Sequence, residues 1–451
     1  VFGRVIYSYA DRYLFQANVR HDGSSRFAKG YRWGTFPSFS AGWVASEEKF
    51  MKNLKWDWLS FLKLRGSWGM LGNERIGSNY FPYIALMSFG NSLFYMADGS
   101  VVSDKTARPA VLAVEDITWE TTTSTDLGLD VNFLNNRLQF HFDYYWKETK
   151  DMLLNIEIPY FMGYNNPSTN AGKMSTHGYD IEVAWNDQIG DFKYDINVNF
   201  SDFLSKIDYM NDGEQISGGK IKRAGVLFNE FYGYVCEGIY QTQEEVNNSA
   251  RTSTTVTVGD LKYRDISGPD GVPDGVISPE YDRVPLGNSL PRFQYGGSLN
   301  ASYKGIDFSL AFQGIGKQNS YLSTSMVQPL RDNYGNVPAI LEGKYWSPFN
   351  TTEENLAAKY PRLSNVSKSN NYATSSFWMF NGSYFRLKNI TLGYTLPKSW
   401  TQKAGINRAR FYVSGSDLFC LSNFPSGWDP EMGTSDYPIT TSLVMGIQVN
   451  F

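Results

Sequence analysis

The stretch Leu138-Gln139-Phe140-His141-Phe142-Asp143-Tyr144-Tyr145-Trp146-Lys147 alternates without a break. Leu138, Phe140, Phe142, Tyr144 and Trp146 fall on one side, and Gln139, His141, Asp143, Tyr145 and Lys147 on the other. Successive side chains of a strand point to opposite faces, whereas a helix brings its apolar residues back every third or fourth position, so this is a two-faced β-strand. The pattern continues outward in both directions. Upstream, Asn135-Asn136 forms a tight turn, and before it Leu127, Leu129, Val131 and Phe133 oppose Asp126, Asp130 and Asn132. Downstream, Tyr179, Ile181, Val183 and Trp185 alternate with Asp180, Glu182, Ala184 and Asn186. A turn over Asp187 to Asp191 then leads to Phe192, Tyr194, Ile196, Val198 and Phe200, opposed by Lys193, Asp195, Asn197, Asn199 and Ser201. The same period governs Tyr13 to Arg20, Phe293 to Tyr303, Ile306 to Gln313 and Arg410 to Ser416.

In a soluble sheet the apolar side of such strands faces a core; in a membrane barrel it faces lipid. Two features favour lipid. The runs reach the roughly 9–11 residues needed to cross a bilayer at a tilt. Aromatics make up 16% of the chain, with 30 Tyr, 30 Phe and 12 Trp, although its mean hydropathy is only −0.37. They crowd strand ends, as at Tyr144-Tyr145-Trp146, Trp185 and Trp43, where a barrel carries its aromatic girdles. Tight connections (Ala10-Asp11-Arg12, Asn135-Asn136, Asp187 to Asp191, Lys304-Gly305) interleave with long polar ones over 73–120, 210–290 and 317–376. That is the contrast between a turn rim and a loop rim. The reading is all-β: about 13 strands of a transmembrane antiparallel β-barrel. Short helices are expected only at Ser46 to Met51, with Ser46 as N-cap, and at Ser399 to Ala404.

Other classes find little support. The net charge of −4 gives no basic surface for nucleic acid. Three histidines leave little scope for a His-based metal site, and Cys236 and Cys420 lie far apart in no paired motif. Nucleophile elbows, zinc motifs and phosphate loops are not found, so no enzyme is expected. The chain opens inside a strand at Val1 with no export signal, so residues 1–451 are read as the C-terminal part of one barrel domain. Its last strand places Met445, Ile447, Val449 and Phe451 on one face, a pattern similar to the signal that outer-membrane assembly machinery reads.

Several blocks resemble the SusC/RagA type of TonB-dependent importer. Arg20-His21-Asp22-Gly23-Ser24-Ser25-Arg26-Phe27 with Arg32-Trp33-Gly34-Thr35-Phe36-Pro37-Ser38 matches one family motif. Leu64-Arg65-Gly66-Ser67-Trp68-Gly69 with Gly72-Asn73 matches another. Trp119-Glu120-Thr121-Thr122, Gly128-Leu129-Asp130, Gly172-Lys173-Met174, Tyr384 to Tyr394 and Asp429-Pro430-Glu431 continue the likeness in order over essentially the whole chain. The resemblance implies a 22-stranded plugged barrel, with the plug and TonB box upstream of a chain that begins near the tenth strand. It implies a SusD-like surface lipoprotein as lid and TonB as the energy-coupling partner. It also implies an outer-membrane location, facing lipid and lipopolysaccharide, and import of an oligosaccharide or a peptide. A siderophore- or cobalamin-type TonB receptor without a lid, and a secreted β-rich glycan-binding protein, stand as alternatives.

One segment bears on ions. Gly259-Asp260-Leu261-Lys262-Tyr263-Arg264-Asp265, continuing to Asp274-Gly275 and Asp282, resembles an acidic family loop of calcium type, which makes Asp265, Asp274 and Asp282 candidate ligands and calcium a candidate cofactor. The inserted Gly268-Pro269-Asp270-Gly271-Val272-Pro273 equally suits a rigid turn with no ion.

Overall fold

The computed structural model describes residues 1–54, 56–75, 80–156, 158–211, 213–331, 335–433 and 437–451. The three long connections therefore each include positions, 76–79, 212 and 332–334, that lie outside the described residues. Thirteen strands hydrogen-bond into one sheet whose spatial order is the chain order. They are β1 (Phe2–Tyr9), β2 (Tyr13–Gly23), β3 (Trp33–Val44), β4 (Leu59–Asn73), β5 (Glu120–Phe133), β6 (Leu138–Asn155) and β7 (Ser168–Ile189). They continue with β8 (Phe192–Met210), β9 (Arg292–Tyr303), β10 (Ile306–Lys317), β11 (Tyr384–Thr395), β12 (Arg408–Ser422) and β13 (Ser442–Asn450). An up-and-down order follows when each strand pairs with its successor. Strands β6, β7 and β8 run 18, 22 and 19 residues, longer than a membrane crossing needs.

The tight turns use left-handed backbone. Leu134, Asn135 and Asn136 have φ of 52°, 56° and 64°, and Lys304-Gly305 has 45° and 90°. Positive φ at both central residues matches the twist of the flanking strands, and Asn and Gly tolerate it best. The turn expected over Asp187 to Asp191 is tighter than that: β7 runs on to Ile189, and Gly190, with φ 60°, makes the reversal. Ser46 is not an N-cap. It sits inside a 3-10 turn at Ala45–Glu47, and the α-helix starts later, at Lys49–Leu54. Glu48 holds this arrangement, because its carboxylate is engaged by Arg12, Tyr13 and Trp43. The second expected helix is present as Lys398–Thr401 followed by a 3-10 turn at Gln402–Ala404.

The chain divides into two compact units. The first comprises Val1–Asn186, Ser201–Gln215 and Arg223–Leu227. Its registers carry one apolar face across the strands: Phe39↔Trp68, Leu64↔Leu129, Leu127↔Tyr144 and Phe142↔Ile181. That face is open, with Phe39 46%, Leu127 54% and Trp146 43% exposed. The connection 73–120 is not a plain loop but holds a hairpin, Leu86–Tyr95 with Val101–Val111.

The second unit comprises Asp187–Phe200, Ile216–Lys222 and Phe228–Phe451. Its strands continue the same alternation, with Phe308↔Leu392, Leu392↔Val413 and Val413↔Met445 in one row. Ile306, Leu392, Phe411, Val413, Met445 and Ile447 line an open apolar groove of about 740 Å³ on this face. The buried core of the unit lies among the long connections, not on the strands. Tyr234, Leu261, Tyr263, Ile277, Met326, Val327, Leu341 and Trp378 pack together there.

Candidate transport face

The polar side of the first unit is built around Arg65. In the register, Arg65 of β4 faces Gly128 of β5, and Gly128 faces Asp143 of β6, which faces Asp180 of β7. Arg65 lies flat across β5 to reach Asp143, with Nη2 donating at 2.7 Å and Nη1 at 2.5 Å from the other carboxylate oxygen. Its Nε sits 3.2 Å from both oxygens of Asp130, and Asp126 lies 3.7 Å from Nη1. His141 Nδ1 is 3.0 Å from Asp130. Gly128 is what allows the crossing: a Cβ there would stand 2.4 Å from Arg65 Cζ. The result is a cationic bar laid over three carboxylates, a polar face organised by charge rather than by packing.

The second unit uses the same device. Arg410 of β12 reaches past β11 to Asp307 of β10, with Nε donating at 2.9 Å and Nη2 paired to the second oxygen. Asp307 faces Gly393, and a Cβ on Gly393 would collide with the guanidinium. Higher on the same strands Arg386, with its side chain 3% exposed, binds Asp429 at 2.6 Å and Glu431 at 2.5 Å. Lys388 adds Asp417 at 2.8 Å and Glu431 at 3.4 Å. Burial pushes the Asp429 carboxyl up, but the Arg386 bond and the Glu431 amide more than offset it, and the net shift is downward. Asp429-Pro430-Glu431 thus ties the connection between β12 and β13 to the sheet.

The long connections of this unit are clasped by a buried polar knot. Asp260 is fully buried; it accepts from Arg362 Nε at 2.7 Å, Asn371 Nδ2 at 2.9 Å and the Thr257 amide at 2.9 Å. Asn370 and Asn371 in turn hold the backbone of Leu261. Burial raises Tyr263 well above the ordinary phenol range, and its hydroxyl donates to the Asn370 carbonyl.

Each of the three candidate calcium ligands is engaged by backbone amides. Asp282 accepts from Ile266, Ser267 and Ser278; Asp265 accepts from Gly275; and Asp274 accepts from Val276. Among the described residues, no three His, Cys, Asp or Glu side chains group to hold a metal ion. Met445, Ile447 and Val449 alternate along β13, with Phe451 just past its end, and Met445 is 80%, Ile447 63% and Phe451 86% exposed. The ion-pair clusters around Arg65, Arg410 and Arg386 were not legible as sites. Their motifs stand in the sequence, but their partners lie up to 103 positions away, on other strands or in the connection between β12 and β13.

The description "TonB dependent receptor-like, beta-barrel" fits residues 1–414. TonB-dependent receptor P3 of Formosa agariphila is 31% identical over 487 aligned positions, which take in 100% of this chain and 45% of that protein. TonB-dependent receptor SusC of Bacteroides thetaiotaomicron is 30% identical, over 100% of this chain and 43% of that one. The solved structure of the RagAB peptide transporter superposes with a TM-score of 0.80 at 25% identity, covering 100% of this chain and 47% of that one. The chain spans about half the length of the curated relatives it matches. The expected likeness to SusC and RagA is borne out, and these relatives are named as receptors and a transporter.

Proposed function

The chain belongs to the TonB-dependent receptor-like β-barrel family of the outer membrane, and from that premise we propose that it supplies part of the wall of an energised importer of bulky nutrients. The apolar side of β1 to β13 meets hydrocarbon and the polar side, with Arg65, Asp143, Asp307 and Arg410, borders the passage. The observation that carries this is the two-faced sheet whose Phe, Leu, Trp and Met side chains are exposed on one face while ion pairs occupy the other. Open apolar area on that scale marks a surface made for lipid or a partner.

The remainder of the wall, a plug and a TonB box are assigned to residues outside this chain. The length of the relatives supports it: this chain takes in only 45% and 43% of two curated receptors it matches. A SusD-like lipoprotein is the proposed lid and TonB the proposed source of work. The substrate class is an oligosaccharide or a peptide; the likeness to a peptide transporter supports the peptide branch. The test is uptake of labelled oligosaccharide and peptide pools by cells carrying the full-length protein. Uptake should vanish on deletion of the protein and on collapse of the proton gradient. Uptake that persists without the gradient would falsify energised import.

A further inference from the structure

We infer that a cleft at the loop end of the first unit is a subsite for one apolar side chain of a peptide, with a basic group of the same peptide beside it. The assignment rests on the importer reading and deepens it by choosing the peptide branch. The cleft opens where β3 and β4 part. Their pairing runs from Val44↔Lys63 to Ser38↔Gly69, yet β3 reaches back to Trp33 and β4 on to Asn73. The Phe36 ring fills the start of the gap: a Cβ on Gly34 would stand 2.4 Å from its Cζ, and one on Gly72 2.0 Å. Trp119, just before β5, meets Phe36 edge-on at 5.3 Å, and its indole nitrogen donates to the Arg32 carbonyl at 3.1 Å. What remains is a hollow of about 420 Å³ lined by Arg20, Asp22, Phe36, Leu71, Glu74 and Trp119.

Phe36, Leu71 and Trp119 make its floor apolar. Leu71 faces Thr122 on β5 and stands an even number of residues from Arg65, so it lies on the same polar side of the sheet. It is 68% exposed there. In a barrel that side borders the passage and not lipid, so this apolar area is open to whatever passes. The rim is charged. Arg20 and Asp22 pair with each other at 2.5 Å. Glu74, with its side chain 44% exposed, makes its ion pair among the described residues with Arg26 Nε at 4.0 Å, too long for a hydrogen bond. Its oxygens can accept from an incoming ammonium or guanidinium.

The lining chooses the ligand. Among the described residues that line the cleft, none carries an amide or hydroxyl side chain. A sugar ring, hydroxylated all round, would leave hydroxyls unpaired against that floor. An apolar side chain instead buries area on Phe36, Leu71 and Trp119, and a neighbouring lysine, arginine or chain amino group reaches Glu74.

The test is calorimetric titration of the full-length protein in detergent. The probes are an octapeptide that sets leucine beside lysine among alanine and serine, the same peptide with asparagine for leucine, the same with glutamine for lysine, and maltohexaose. The leucine–lysine peptide should bind most tightly of the three. Leu71→Ala, at an exposed position, should weaken it by roughly tenfold and leave the asparagine peptide unchanged. Glu74→Gln should weaken it by roughly two- to fivefold and leave the glutamine peptide unchanged. A Leu71→Ala variant that weakens both the leucine and asparagine peptides alike, or neither, overturns the subsite; a Glu74→Gln variant without effect removes the basic group from it. Binding of maltohexaose but of no peptide overturns the subsite and leaves nutrient import standing. Binding of neither class takes the importer reading down with it.

Discussion

Arg65 is held by three carboxylates, so removing it does more than delete one ion pair: it leaves Asp126, Asp130 and Asp143 facing one another. The site is about one-third exposed, and water screens part of the cost. Arg65→Ala is expected to lower stability by about 1 kcal/mol, read by urea unfolding in vesicles. Gly128→Ala should do the same by blocking the crossing, and the double variant should cost little more than either alone, because both remove one contact. Additive losses in that cycle would refute the crossing. Glu48 gives a pH dependence. The Tyr13 hydroxyl bond, then the Trp43 indole and Arg12, hold its carboxyl below the ordinary range against an opposing effect of burial. A depressed folded-state value means a stabilising contribution present above the unfolded value and lost as pH falls through the folded one. The melting-temperature gap between wild type and Glu48→Gln should therefore be widest near neutrality and close in acid. A gap that widens in acid contradicts the assignment.

At the scale of elements, β13 is hydrogen-bonded to β12, and Met445, Ile447 and Val449 along it, with Phe451 just past its end, are exposed apolar residues. A cluster of this kind invites aggregation unless something covers it. We expect Phe451→Ser to reduce the folded protein recovered from outer membranes several-fold, while Asn450→Ser, on the opposite face, does not; equal yields would remove the role of the terminal residue in assembly. The long connections behave differently from the strands. They carry a buried core of their own around Trp378 and a clasp at Asp260 and Arg362, so they are preformed surfaces above the sheet and not slack loops.

At the scale of the molecule, a sheet with one exposed apolar face and one charged face has to be solvated by two different media. The full-length protein is expected to leave membranes with detergent and to stay behind in high salt or alkaline carbonate. Release by buffer alone would revive the secreted glycan-binding alternative. Arginines lying flat across glycines, as at Gly128 and Gly393, keep the polar face low and leave room along it.

Alternation determined the strands and their faces, because a period of two is a local property carried by consecutive residues. The count of about 13 followed from the same signal, and the sheet has 13 strands. Family motifs were legible because they too are contiguous. Tertiary structure alone decided which charges meet. Arg65 with Asp143, Arg410 with Asp307 and Asp260 with Arg362 are pairs separated by 78, 103 and 102 positions, joined by register and by loop packing. It also decided that Asp265, Asp274 and Asp282 bind backbone amides, and that Ser46 yields the helix start to Glu48. The physical reason is the same in each case: a side chain's partner is set by where distant backbone runs, and no local pattern encodes that distance.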